Sequence, residues 1–183
     1  MKNKKQPITQ ITCLASTLGL ALLLAACGQQ SDQLTSASTE NNALDRIQLL
    51  ETKPSGALPV KEAREQLKPG DDAMVSGQIG GTEEPFLQGY AGFVVADPSI
   101  AFCNETKDDQ CPTPWDACCE DPDKLKASRA SVQFVDAEGH PLAGDLSGFA
   151  GLEPLAKVVV VGTVASASTP ENLVIEGSAI YLE

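Results

Sequence analysis

The chain has 183 residues, with 13 Lys and Arg against 25 Asp and Glu, a formal net charge of −12. That length predicts a single domain, and the acidic excess opposes nucleic-acid binding, whose affinity comes from Lys and Arg neutralising phosphates. One His and the absence of nucleophile-elbow, zinc-protease and phosphate-loop motifs exclude most His-dependent catalysis, multi-His metal sites and nucleotide chemistry, so neither an enzyme nor a resident cofactor is expected.

The N-terminus is unlike the rest. Lys2, Lys4 and Lys5 precede a largely apolar run from Ile11 to Ala26, densest over residues 18–26. A basic head followed by a short apolar stretch predicts a secretory signal. A membrane span needs about 20 apolar residues, and Thr12, Ser16 and Thr17 interrupt this run. The run ends Leu24-Ala25-Ala26-Cys27, which resembles the bacterial lipobox. That resemblance implies a diacylglycerol on the Cys27 sulfur, cleavage before Cys27 and acylation of the new amino terminus. Two or three acyl chains anchor a protein stably where one binds only marginally. Gly28 is not Asp, which by analogy with Gram-negative sorting implies the periplasmic face of the outer membrane. Loss of residues 1–26 removes three basic and no acidic residues, leaving a charge of −15. Such a charge keeps an exported domain soluble. The expected partners are therefore the membrane, through lipid on Cys27, and a small ligand or envelope protein, but no nucleic acid.

Residues 27–57 read as a flexible tether. Gln, Ser, Thr and Asn dominate, there is no aromatic residue, and such a composition buries too little to fold. Ile47, Leu49 and Leu50 are placed for a brief contact with the domain, which is expected over 58–183.

Pro59 to Leu67 predicts a short helix, with Val60, Ala63, Arg64 and Leu67 on one weakly apolar face. Strands are expected over 73–79, 92–96, 130–134, 157–164 and 173–182, with a turn at 136–141. The segment 146–155, containing Gly148, Gly151 and Pro154, has room for a helical turn or two. Val75-Ser-Gly-Gln-Ile79 and Val160-Val-Gly-Thr-Val164 share a mid-strand Gly, which lets a long strand bend. Five strands, an insertion before the third and a connector between the third and fourth resemble an OB-fold. The lead-in through Val60, Ala63 and Pro69-Gly70 looks like that of small periplasmic OB-fold proteins. The resemblance implies an all-β, five-stranded OB-fold-like barrel with a short N-terminal helix and a Cys-rich loop insertion. It further implies a module that binds, on the face around its second and third strands, rather than catalyses.

The loop over 97–127 is the most distinctive stretch. It carries Cys103, Cys111, Cys118 and Cys119. An even number of cysteines in an exported chain predicts disulfides. A vicinal bridge strains the peptide between its halves, which leaves Cys103–Cys118 with Cys111–Cys119, or Cys103–Cys119 with Cys111–Cys118. Each bridge stabilises by ~2–4 kcal/mol. The alternative is a thiolate site for zinc or copper, although no C-x2-C pair occurs. Trp115, the only Trp, either plugs the loop against the barrel or offers a platform to a ligand. Eight acidic residues in the loop, Asp97, Glu105, Asp108, Asp109, Asp116, Glu120, Asp121 and Asp123, lack the spacing of a calcium loop and read as a solvated surface. His140 falls in a polar turn. The run Cys111-Pro-Thr-Pro-Trp-Asp-Ala-Cys-Cys119, with Gly77, Ile79, Gly80 and Gly81 upstream, is similar to one in exported bacterial proteins, a resemblance that implies export but no activity.

Overall fold

The computed structural model describes residues 43–105 and 111–183. The expected signal, Cys27, Gly28 and the expected tether up to residue 42 lie outside the described residues, as does the loop segment 106–110, with Asp108 and Asp109.

The fold is mostly β, with one sheet of seven strands and few helices. Five strands were expected; the additional two are two-residue pieces. In chain order the elements are β1 (Gln48–Leu49), β2 (Leu58–Pro59), helix α1 (Val60–Gln66), β3 (Asp72–Ile79), β4 (Gly92–Ala96), helix α2 (Pro122–Ala127), β5 (Arg129–Phe134), β6 (Lys157–Val164) and β7 (Leu173–Leu182). Single 3-10 turns occur at Cys103–Glu105 and Phe149–Gly151.

Strand β3 pairs antiparallel with β4 only at its end, Gln78–Ile79, and with β6 over most of its length. Strand β4 pairs antiparallel with β5, β5 parallel with β7, and β7 antiparallel with β6. The pairings thus return from β6 to β3. Alternation decides which side chains go inside. Along β3, Ala73, Val75, Gly77 and Ile79 are buried, and along β5, Ala130, Val132 and Phe134. Phe93 lies between Phe86, at 6.2 Å in an edge-to-face contact, and Phe134, at 6.5 Å. Helix α1 contributes Val60 and Ala63, both fully buried, to the same core.

The folded part begins earlier than composition suggested. Leu44 and Ile47 are buried, β1 pairs in parallel with Ala179–Ile180 of β7, and the Leu50 amide donates to the Ile180 carbonyl at 2.8 Å. The reason is an edge. Strand β5 covers that side of β7 only from Leu173 to Gly177, and exposed strand edges recruit backbone. Residues 43–57 are polar on average, but Leu44 and Ile47 suffice to seat them.

Strand β6 carries a register shift after Val161, so that Gly162 faces Gly177 and Val161 faces Ala179. Ser178 is the extra residue. A Cβ at Gly162 would run into the carbonyl oxygen of Glu176, and one at Gly77 would lie 2.6 Å from the Ala96 carbonyl oxygen. These glycines are required for close backbone approach at a bulge and a bend. Gly162→Ala is expected to destabilise the domain by about 2 kcal/mol or more, read as a lower midpoint in urea unfolding.

Candidate functional site

The cysteine loop has a framework of its own. It leaves β4 at Asp97 and returns at Ser128, where the Asp97 amide donates to the Ser128 carbonyl at 2.8 Å. Ile100, Phe102 and Ala117 are buried together with Ala96, and Leu125 and Leu155 pack against them. A core of its own was not expected for this loop; the signal was the alternation Ile100-Ala-Phe102 just before Cys103. Inside the loop, the Cys103 amide donates to the Asp116 carbonyl at 2.8 Å and the Asn104 amide to the Pro114 carbonyl at 3.0 Å. Segment 103–104 therefore runs against 114–116.

Trp115 is half-buried, and its indole N–H donates to the Glu83 carbonyl at 2.9 Å. Its own carbonyl accepts from the Gly81 amide at 2.8 Å. Gly80 sits so close that a Cβ there would lie 2.5 Å from the same oxygen. The glycine pair after β3 and the Trp of the loop are thus one joint.

Four of the loop carboxylates, Asp97, Asp116, Glu120 and Asp121, accept from backbone amides. Asp121 caps α2, accepting from the Asp123 and Lys124 amides at 3.0 Å each, and Pro122 suits the first helical position. Asp116 accepts from Ala117, and Glu120 from Ala101, Asp121 and the Lys124 ammonium. Asp97 reaches further. One of its oxygens accepts from the Lys61 amide at 2.8 Å and the other from the Ser99 amide at 2.9 Å. Helix α1 has no cap from its own chain start, so Asp97, 36 residues away, supplies it. His140 is an exposed turn residue, its Nδ1 3.4 Å from Asp136.

Three of the four cysteines converge. The sulfurs of Cys103, Cys111 and Cys118 lie within 4.8 Å of one another, with Cys103 and Cys118 3.6 Å apart. That separation is a contact and not a bond, since a disulfide is about 2.05 Å long. Cys119 is not among the three, although its thiol neighbours that of Cys118. Burial and then the Cys118 thiol push the Cys103 thiol up to about 12. For Cys118 the Cys103 contact acts downward, but burial and the Cys111 and Cys119 thiols leave it raised. Cys111 is lowered by the side chain and backbone of Thr113, whose hydroxyl lies 3.3 Å from its sulfur. The cluster therefore combines one sulfur whose pKa is lowered with two whose pKa is raised. Such a group can close on a soft metal ion, or join Cys103 to Cys118 by oxidation.

A second feature lies on strands β4 and β5. A cleft of about 220 Å³ is lined by Thr82, Lys126, Arg129, Ser131, Glu171 and Asn172, among others. Arg129 is held by the Gly81 carbonyl at 2.9 Å. Arg64 donates to the carbonyls of Arg129 and Pro170 at 2.9 and 2.7 Å. Burial, offset in part by Glu171 and reinforced by Arg129, lowers the Arg64 pKa. This grouping was not legible in the sequence, because Lys126 and Arg129 meet Thr82, Glu171 and Asn172 only through the fold. No family model matches the chain, nor does any curated protein or solved structure.

The Asp97 cap has a measurable consequence. Burial alone would raise its pKa, but the Lys61 and Ser99 hydrogen bonds and the Lys61 charge outweigh it and leave it lowered. A lowered carboxyl stabilises the fold above its unfolded pKa of about 3.9, and the contribution is lost as pH falls through the folded value. Asp97→Asn, which keeps one acceptor and misplaces a donor, is expected to cost about 1–3 kcal/mol at pH 7. In urea unfolding from pH 7 to pH 3, the gap between wild type and variant should narrow below about pH 4.

Proposed function

We propose that this chain is an exported, lipid-anchored binding module without catalytic activity, carried on an OB-fold-like barrel and held at the periplasmic face of the outer membrane. The support for the barrel is the order of pairing. Five strands run β3, β4, β5, β7, β6 and back to β3, with β5 and β7 parallel, the order an OB-fold uses. The support for the anchor is the Leu24-Ala25-Ala26-Cys27 run behind a basic head and an apolar stretch. Nucleic acid is not its ligand on this reading, since a charge of −15 repels phosphate.

The observation that carries the binding function is the cleft on β4 and β5. Its position matches the face that OB-folds use. In a strongly acidic protein it gathers Lys126 and Arg129 with Glu171, Ser131 and Asn172, so it favours a small polar ligand that offers acceptors to the two cations and a donor to the carboxylate. Concave sites with a few convergent polar groups are the usual form of small-molecule sites. In a thermal-shift screen of small anionic and polyhydroxylated compounds, a true ligand raises the wild-type Tm and leaves Ser131→Trp, which fills the cleft, unmoved. A ligand that shifts both alike removes the cleft from the proposal.

The anchor is tested by fractionation. Exchange of residues 1–27 for a non-lipoprotein signal is expected to move the folded domain from the membrane to the soluble periplasmic fraction. Retention on outer membranes after a salt wash would show that lipid on Cys27 is not what holds it.

A further inference from the structure

We propose that Cys103, Cys111 and Cys118 form a three-thiolate site for a soft monovalent metal ion of the copper(I) class, with Cys119 outside it. The inference is independent of the anchor and of the β4–β5 cleft, and either can fail without the other.

Size comes first. A trigonal centre with metal–sulfur bonds of about 2.3 Å holds its sulfurs about 4 Å apart. The three sulfurs here lie within 4.8 Å of one another, and one pair is at 3.6 Å. Small side-chain rotations therefore close the cluster on an ion.

Ligand type narrows the choice. Thiolates select thiophilic ions and not magnesium, calcium or manganese. Ligand number narrows it again. Structural zinc takes four ligands, and among the described residues no fourth Cys, His or carboxylate joins the three sulfurs within that distance. Two carboxylates adjacent in sequence to the cysteines, Asp116 and Glu120, are engaged with backbone amides. Copper(I), a filled-shell ion of single charge, is satisfied by three sulfurs in a plane.

The surroundings suit such a site. Cys103 is only 4% exposed and follows the buried Phe102 in the chain, so this sulfur is shielded from solvent. Cys111 is half-buried and Cys118 exposed, which gives the ion a way in. The two backbone hydrogen bonds between 103–104 and 114–116 fix Cys103 against the segment leading to Cys118 before any ion arrives. Binding breaks three S–H bonds, forms three metal–sulfur bonds and releases three protons to solvent, with no change in oxidation state. Oxidation of Cys103 and Cys118 to a disulfide, by loss of two hydrogens to an oxidant, would remove two ligands, so that bridge and the ion exclude each other.

The test uses the full chain, purified in mild detergent, reduced and kept anaerobic. It is titrated with copper(I) against a competing copper(I) chelator, and separately with zinc. The expected result is one tight copper(I) with ultraviolet thiolate-to-copper absorption. Cys111→Ser and Cys118→Ser should each weaken it by more than about 100-fold, beyond what changes around a ligand cost, while Cys119→Ser binds as wild type. None of these three serine variants alters a fully buried side chain, so folding, checked by circular dichroism, is retained where Cys103→Ser would put it at risk. Copper(I) binding that survives Cys118→Ser, dependence on Cys119, or zinc held as tightly at one equivalent overturns the proposal. So does a Cys103–Cys118 disulfide in protein alkylated directly in the cell envelope and read by peptide mass.

Discussion

Strand β6 is hydrogen-bonded along both edges, to β3 on one side and to β7 on the other. The rest of the molecule depends on this double pairing. It requires β7 to serve β5 as well as β6, and β3 to serve β4 as well, so that each of five strands has two neighbours. No strand can twist enough to do that while keeping a regular ladder and full side chains throughout. The strain is taken up where side chains are missing, at Gly162 opposite Gly177 and at Gly77 beneath Val95. Consecutive valines at 158–160 are all buried, which shows how closely β6 is surrounded.

The cysteine loop is fastened to this frame at three places. Asp97 and Ser128 close its base, Trp115 locks onto Gly80 and Gly81 at the end of β3, and Leu155, just before β6, packs on its small core. Asp97 also caps helix α1. The position of the sulfurs is therefore set by the sheet and not by the loop alone. Fewer apolar contacts and more exposed hydrogen bonds than in the main core make the loop the part expected to open first.

The strands that were legible in the sequence are those whose side chains alone determine them. Gly92–Ala96, Lys157–Val164 and Leu173–Leu182 have the expected bounds, because β-branched runs bounded by Gly and Pro carry their own signal. Strands β1 and β2 were not legible. Two residues have no periodicity, and both pair only because a neighbour leaves backbone uncovered. Helix α2 had a signal in Asp121-Pro122, hidden by its placement within an acidic loop. The four cysteines announced a site, but spacing left open which of them meet. That is decided by the register of Cys103 against Asp116, a tertiary fact. Likewise Asp97 read as one acid among eight, since its partner amide belongs to a helix 36 residues earlier.

The adjacency of Cys118 and Cys119 bears on the order of events as the chain folds. Cys103 is 15 residues from Cys118 and one more from Cys119. Closing either loop in an unfolded chain differs by only about 0.06 kcal/mol in entropy. Before folding, the two thiols are therefore equivalent in reach. Most sheet contacts join distant segments, such as β3 with β6 and β5 with β7, and long-range pairing of this kind is slow, on the order of milliseconds to seconds. During that interval chain statistics cannot tell one sulfur from its neighbour. The distinction between them is created only when the backbone from Pro114 to Ala117 docks, turning Cys118 toward Cys103 and leaving Cys119 on the outside.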